Sequence, residues 1–262
     1  MAVLLDYQHV EVSFNGEPVV HDVSFQLHPG EILGLVGESG SGKSTLLKAA
    51  MGLLGSSGMV TRGDIWFEGK SLPDVPPKEM RRICGEKIGM IFQDCGASLS
   101  PTRTIGEQII ESMAAHRKVD VAEAKRAALE LFEKLRFPDG ERIWDSYPFE
   151  LSGGMNQRAG IAIAMLMNPA VLLADEPTSA LDMAVQRQVV EEMLHIRETF
   201  GTAIIIVTHD IGVVSAMADS IVVLSNGRVM EYAAAKDVLE NPQNDYTVKL
   251  LSAVPRLRRE KA

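Results

Sequence analysis

Short apolar runs alternate with helical patterns in the second half of the chain, which indicates a parallel sheet covered by helices. Val171–Ala174 and Ala203–Val207 are continuously apolar, and the helical pattern Met183–Thr199 lies between them. Ile32–Val36 is a third run of the same kind, again followed by a helical pattern. Because strands buried on both faces read as unbroken apolar runs, these segments predict an α/β fold.

The amino-terminal region follows a different pattern. Apolar residues roughly alternate from Leu4 to Phe14, and an extended pattern resumes from Val19 to Leu27. Asn15-Gly16 and Pro29-Gly30 are turn signals that follow these runs. We therefore expect an antiparallel β layer in addition to the parallel sheet.

A helical insertion separates the two parts of the predicted sheet. The stretch from Ile105 to Arg136 has apolar residues at helical spacing and almost no helix-breaking residues. The helical region continues to Leu151-Ser152-Gly153-Gly154, after which a further helix is predicted from about Met155.

Composition and charge narrow the class of protein. The chain has 262 residues, 46% of them hydrophobic, and a formal net charge of −9. This balance argues against a nucleic-acid surface, and the basic stretch Arg256–Arg259 is too short to reverse it. The cysteines, Cys84 and Cys95, lack metal-site spacing and indicate free thiols. We expect no signal peptide and no membrane-spanning helix.

A glycine-rich motif between the Ile32–Val36 run and the next helical pattern predicts a phosphate site. Backbone N–H groups of such a loop and the helix N-terminus would bind phosphates, Lys43 would reach the β- and γ-phosphates, and Ser44 would hold Mg²⁺. A simple glycine-rich turn is the alternative, but strand, spacing and helix agree on the phosphate site. The motif comprises Gly37, Glu38, Ser39, Gly40, Ser41, Gly42, Lys43, Ser44 and Thr45.

Polar residues follow three predicted strands at the edge where the chemistry of parallel sheets lies. The strands are Val171–Ala174, Ala203–Val207 and a short apolar run, Ile88–Phe92, that ends at Gln93. Asp175 is placed to reach Mg²⁺, and Glu176 to orient or deprotonate a water aimed at the γ-phosphate. His209 could sense the γ-phosphate, and Gln93 could bind Mg²⁺ or the attacking water. Each residue alone is a weak signal, and the combination with Lys43 favours phosphoryl transfer. Phe14, at a strand end, could stack on an adenine ring or belong to the core.

The segment Leu151–Met155 resembles the signature motif of ATP-binding cassette (ABC) proteins, and the other motifs follow in the family's order over nearly the whole chain. The resemblance implies that ATP and Mg²⁺ are the cofactors. It also implies that two chains close head-to-tail, so that the signature and the Ser179–Asp182 segment meet the partner's nucleotide. The nucleotide contacts implied in this way are Ser152, Gly153, Gly154, Met155 and Asp182. Many members have Gln where this chain has Met155.

The resemblance implies a P-loop NTPase of ABC type. Residues 1–93 and 170–262 would form a RecA-like core with an antiparallel β subdomain, and residues 94–169 a helical subdomain. The segment Tyr147–Arg158 is similar to the ATPases of peptide and nickel importers. Implied partners are a second ATP-binding subunit, identical or paralogous, two permease subunits and, indirectly, an extracytoplasmic substrate-binding protein. The chain would lie at the cytoplasmic face of the membrane.

Two other functions remain open. A non-transport ABC ATPase in DNA repair or on the ribosome is disfavoured by the acidic charge. Repair members carry a long coiled coil, and no sustained heptads lie between Gln93 and Leu151. Ribosome-bound members carry two cassettes in one chain, and this sequence contains one set of motifs. A small-molecule kinase would leave the signature unexplained. For the transporter, we expect surface residues from Ala97 to Pro101 and from Tyr147 to Glu150 to lie at the permease-docking groove, with an ordinary loop as the alternative. Within the first segment, we expect the apolar residues Ala97 and Leu99 to be exposed in a loop.

Overall fold

The structure is a computed structural model that describes residues 2–93, 95–179 and 182–252. The basic stretch at 256–259 lies outside the described residues, as do Ala180 and Leu181 of the predicted Ser179–Asp182 motif. The described residues form a 4-stranded sheet and a 6-stranded sheet. No helix among them is both long enough and apolar enough to cross a bilayer.

The strands and helices have the following bounds. The strands are β1 (Leu5–Phe14), β2 (Glu17–Leu27), β3 (Ile32–Val36), β4 (Gly58–Phe67), β5 (Lys70–Ser71), β6 (Ile88–Ile91), β7 (Val171–Asp175), β8 (Ala203–Thr208), β9 (Ser220–Ser225) and β10 (Arg228–Ala234). The helices are α1 (Lys43–Ala50), α2 (Pro77–Glu86), α3 (Cys95–Ser98), α4 (Ile105–Ala114), α5 (Val121–Lys134), α6 (Gly140–Asp145), α7 (Gly153–Met165), α8 (Met183–Phe200), α9 (Ile211–Met217), α10 (Ala235–Glu240) and α11 (Asp245–Ser252).

The larger sheet has the order β10-β9-β3-β8-β7-β6 and is parallel except for β10. Every residue of β3, β7 and β8 is buried, which explains their unbroken apolar sequences. This arrangement confirms the predicted α/β fold. Because parallel strands end at the same edge, the residues that follow β3, β6, β7 and β8 share one side of the sheet.

The smaller, antiparallel sheet has the order β2-β1-β4-β5 and packs against the helix that follows the glycine-rich loop. The rings of Tyr7 on β1 and Phe25 on β2 stack with their centroids 4.3 Å apart. The Tyr7 hydroxyl donates a hydrogen bond to the Leu46 carbonyl of α1 at 3.1 Å. Burial raises the pKa of this hydroxyl, which therefore stays protonated as a donor. The antiparallel sheet thus packs against α1 and stabilises its position.

The helical insertion contains α4 and α5, each with a well-defined start. Thr104 and Glu107 form a capping box at α4, with the Glu107 N–H donating to the Thr104 hydroxyl and the Thr104 N–H donating to the Glu107 carboxylate. Asp120 caps α5 by accepting from the Glu123 N–H. The buried faces of both helices share a core with one face of the parallel sheet.

The expected exposure of Leu99 was wrong. Leu99 follows α3 and is only 7% exposed, because it packs in the core that α4, α5 and α7 share with the sheet. The Ala97 side chain lies outside the described part of the chain. Two boundaries also differ from the expectations: β6 ends at Ile91, before Gln93, and α7 begins at Gly153 and not at Met155.

Candidate active site

The glycine-rich loop connects β3 to α1 with a backbone that requires glycine. Gly40 and Gly42 have φ values of 79° and 99°, and Gly42 occupies the N-cap position of α1 without a side-chain cap. A Cβ atom on Gly37 would lie 2.0 Å from the Leu224 carbonyl oxygen on β9. At Gly37 the loop therefore approaches neighbouring backbone too closely for a side chain. The N–H groups at the start of α1 carry no side-chain cap.

We predict that Gly37→Ala destabilises the protein by about 1–3 kcal/mol and weakens nucleotide binding, because the added methyl meets a backbone carbonyl that no rotamer change can move. The control for the stability effect is Gly153→Ala, where an added Cβ meets no atom within 4 Å. Thermal melting and titration with a fluorescent ATP analogue measure the two effects. Equal melting temperatures for Gly37→Ala and the wild type would contradict this packing argument.

Lys43 is the first residue of α1 and is only 4% exposed. Its ammonium group donates hydrogen bonds to the carbonyls of Gly37 at 2.8 Å and Glu38 at 2.7 Å. Burial lowers the pKa of Lys43, while the carboxylates of Glu176, Asp175 and Glu38 act in the opposite direction. The side chain thus lies across the loop, and its charge faces the carboxylates at the sheet edge.

Ser44 and Asp175 come into direct contact although they are 131 residues apart along the chain. The Ser44 hydroxyl donates to Asp175 Oδ1 at 2.7 Å. Asp175 is 5% exposed, and burial raises its pKa, opposed by the Ser44 hydrogen bond and by Lys48. A hydroxyl and a carboxylate oxygen side by side fit the oxygen preference of Mg²⁺, which binds proteins through few ligands and keeps several waters.

Glu176 follows β7 directly and has a left-handed backbone with a φ of 46°. Its N–H donates to the Val207 carbonyl of β8 at 2.9 Å. His209, which follows β8, has its Nδ1 atom 3.4 Å from Glu176 Oε1. The Glu176 side chain is 17% exposed and that of His209 is 63% exposed, so the pair lies at the mouth of the site.

Of these side chains, those of Lys43, Ser44, Glu176 and His209 line one open cleft of about 600 Å³ above the sheet edge. Gln93, which follows β6, closes the cleft on one side. Val19 at the other side was not anticipated, since no motif marks it. The lining residues are Val19, Ser39, Gly40, Gly42, Lys43, Ser44, Thr45, Gln93, Glu176 and His209.

Four of the expected contact residues do not line this cleft, and one of them, Asp175, is joined to it through the Ser44 hydroxyl. Phe14 is partly buried at the end of β1, with its ring against Gly58 of β4 and the core. Gly37 lies beneath the loop beside Leu224, and Ser41 is 4% exposed with a buried hydroxyl that lacks a hydrogen-bond partner. Gly37 and Ser41 thus belong to the buried side of the loop, and Phe14 packs with the antiparallel sheet.

The signature residues lie in a separate cleft of about 730 Å³. The Ser152 hydroxyl accepts from the Met155 N–H at 3.3 Å and so caps α7, and Gly153 has open space around it. Asp182 lies in the same cleft and caps α8 by accepting from the Ala184 and Val185 N–H groups at 2.9 Å. Sequence reasoning missed the cations of this cleft, Arg136 and Arg158. Only the helical position of Arg158 close to the signature could have indicated it.

Comparison with known proteins identifies this combination of sites. The family model described as "ABC transporter" matches residues 20–179. The oligopeptide transport ATP-binding protein OppD of Salmonella typhimurium is 42% identical, over 99% of this chain and 78% of the relative. The dipeptide transport ATP-binding protein DppD of Lactococcus lactis is 40% identical, over 96% of this chain and 74% of the relative.

A solved structure supports the same assignment. The dimeric post-hydrolysis state of the ATP-binding cassette MJ0796 bound to ADP and Pi superposes with a TM-score of 0.75 and 28% identity, over 88% of this chain and 99% of that one. These matches favour the transport cassette over the DNA-repair and ribosomal alternatives. The chain belongs to the ABC transporter family and is a nucleotide-binding ABC ATPase cassette.

Proposed function

We propose that this chain is the ATP-hydrolysing subunit of an importer for peptides. The observation that supports the proposal is the presence of two separate clefts on one chain, one at the glycine-rich loop and one at the α7 N-terminus. Similarity to oligopeptide and dipeptide transport proteins favours peptides as the cargo over nickel or metal chelates.

The residues of the first cleft take the roles of a phosphoryl-transfer site. Ser44 and Asp175, with Gln93, would hold Mg²⁺, which when bound neutralises charge on the phosphates. Lys43 binds the β- and γ-phosphates. Glu176 is the general base for the attacking water, and His209, 3.4 Å from Glu176, contacts the γ-phosphate and orients that base.

The second cleft acts on the nucleotide of a partner ATPase subunit, identical or paralogous. Ser152, Gly153 and Gly154 provide a helix N-terminus that binds the γ-phosphate, and Met155 and Asp182 border it. Phe14 would have to turn from Gly58 to stack on adenine. We assign residues 1–93 and 170–262 to the core and β subdomain, and residues 94–169 to the helical subdomain that carries the signature.

The partners at the membrane are two permease subunits, which hold the chain at the cytoplasmic face and connect it to a substrate-binding protein outside. A groove of about 420 Å³ between β6 and the helical subdomain fits a permease segment, with apolar walls that include Met90, Ile163 and Met167. Close to the signature, the rings of Tyr147 and Phe149 stack 5.3 Å apart, and Phe149 is 71% exposed. Such exposed aromatic surface suits a protein partner.

We expect the isolated chain to be mainly monomeric and Glu176→Gln with ATP and Mg²⁺ to form dimers, because uncleaved ATP then joins Lys43 of one chain to Ser152 of the other. Size-exclusion chromatography with light scattering, with and without ATP, measures this change. Glu176→Gln combined with Lys43→Ala is the control that should remain monomeric. Monomers under all conditions, also with a co-expressed paralogous cassette, would contradict the proposed dimer.

A second experiment tests the membrane partners. Co-expression with the permease subunits should bring this chain into the membrane fraction and raise its turnover. Phe149→Ser, which removes exposed aromatic surface and leaves the nucleotide clefts untouched, should weaken co-purification at unchanged ATP affinity. A chain that stays soluble beside its permeases and binds nucleic acid would instead favour the non-transport alternative.

A further inference from the structure

One buried side chain joins the signature helix, α7, to the loop that carries Glu176. Gln157 lies in α7, little more than one turn after Ser152, and is only 6% exposed. Its Nε2 atom donates a hydrogen bond to the Pro177 carbonyl at 2.8 Å. Because Pro177 follows Glu176 directly, this bond connects the helix of the second cleft to the base of the first.

The peptide that Gln157 binds is one that needs support. Glu176 has a φ of 46°, a conformation that residues other than glycine keep only where their surroundings hold it. The Glu176 carbonyl accepts from the Ser179 N–H at 3.0 Å, and Pro177 and Thr178 are buried. A buried carbonyl such as that of Pro177 requires a donor, and the Gln157 amide provides it. The Gln157 bond therefore supports the peptide next to Glu176.

The residue after Gln157 holds the same helix against α8. Arg158 donates to Glu192 at 2.8 Å and to the Leu135 carbonyl, and its guanidinium lies 4.4 Å from the centre of the Phe137 ring. Burial raises the pKa of Glu192, and Arg158 acts in the opposite direction. Since α7 is a continuous helix, it connects Ser152 at its N-terminus to Gln157 and, through the Gln157 bond, to the peptide after Glu176.

We propose that Gln157 is a positioning residue that couples occupation of the signature cleft to the orientation of Glu176 in the same chain. This inference rests on the proposed function, in which the signature binds the partner's nucleotide. Glu176 of each chain acts on the nucleotide bound to its own glycine-rich loop. The nucleotide in one site would therefore set the catalytic base of the other, and hydrolysis should be cooperative in ATP.

The test uses Gln157→Met in the complete chain, co-expressed with its transporter partners. Methionine keeps the length of the side chain but has no N–H donor. The affinity of the isolated variant for ATP should stay within about twofold of the wild type, and the Hill coefficient for ATP should fall towards 1. Turnover should fall about tenfold, which is the scale of one lost hydrogen bond to a buried group. Gln157→Asn, which keeps an amide but is too short for the same bond, should show a similar loss with less risk to folding.

Asn156→Leu is the matched control. Asn156 is the neighbouring residue of α7 and donates an equivalent 2.8 Å bond to the Pro148 carbonyl, which does not adjoin Glu176. This variant should keep the Hill coefficient of the wild type, and melting temperatures compare the folding of all variants. Cooperativity that is absent in the wild type, unchanged in both Gln157 variants, or lost equally in Asn156→Leu would overturn the inference. A wild-type complex without ATP-dependent turnover would instead contradict the proposed function itself.

Discussion

Glu176→Gln should bind ATP with nearly normal affinity and hydrolyse it on the order of 10²–10⁴ times more slowly, the range that general-base catalysis contributes. The substitution keeps the size of the side chain and removes the group that accepts the proton. Lys43 and the Ser44–Asp175 pair, which would bind the phosphates and Mg²⁺, remain in place. Steady-state phosphate release and equilibrium binding of a fluorescent ATP analogue measure the two quantities separately.

Lys43→Ala provides the contrast, because it should weaken ATP binding itself. The Lys43 side chain is buried, and its ammonium lies against the loop that is expected to bind the phosphates. The two variants should thus separate, one losing turnover and the other affinity. Near-normal turnover by Glu176→Gln would exclude Glu176 as the base and direct attention to His209, the nearest other proton acceptor described in the cleft.

The parts of the fold that could be predicted from the sequence are those set by local physics. β3, β7 and β8 are buried on both faces, so their apolar runs were readable without knowledge of their neighbours. The glycine-rich loop was predictable for the same reason, because its backbone conformation depends on glycines at fixed spacing. The edge of the sheet at which both Asp175 and His209 lie then follows from the parallel arrangement of β7 and β8.

What could not be predicted depends on contacts between distant segments. Leu99 follows a short helix and looks like surface in the sequence, but it packs into the core that the helical insertion shares with the sheet. Phe14 contacts Gly58, which belongs to a strand whose pairing with β1 no local pattern indicates. The bond from Gln157 to Pro177 is of the same kind, since helical periodicity gives no reason for a buried amide to select that carbonyl.

Ser152→Arg should abolish ATP turnover, with a loss of at least about 100-fold, while ATP still binds at the glycine-rich loop of the same chain. The Ser152 hydroxyl caps α7, and the open space beside Gly153 is where the partner's γ-phosphate would lie. An arginine side chain removes the cap and fills that space. Dimers of Glu176→Gln with ATP should disappear when Ser152→Arg is added, as light scattering would report.

Met155→Gln is the control for this change, because it alters a neighbouring side chain of the same cleft and keeps the cap. The Met155 N–H, and not its side chain, bonds to Ser152, so the backbone donors of α7 stay in place with either residue. Turnover of Met155→Gln should therefore remain within a few-fold of the wild type. If Ser152→Arg hydrolysed ATP at the wild-type rate, the α7 N-terminus could not face a nucleotide, and the head-to-tail dimer would have to be abandoned.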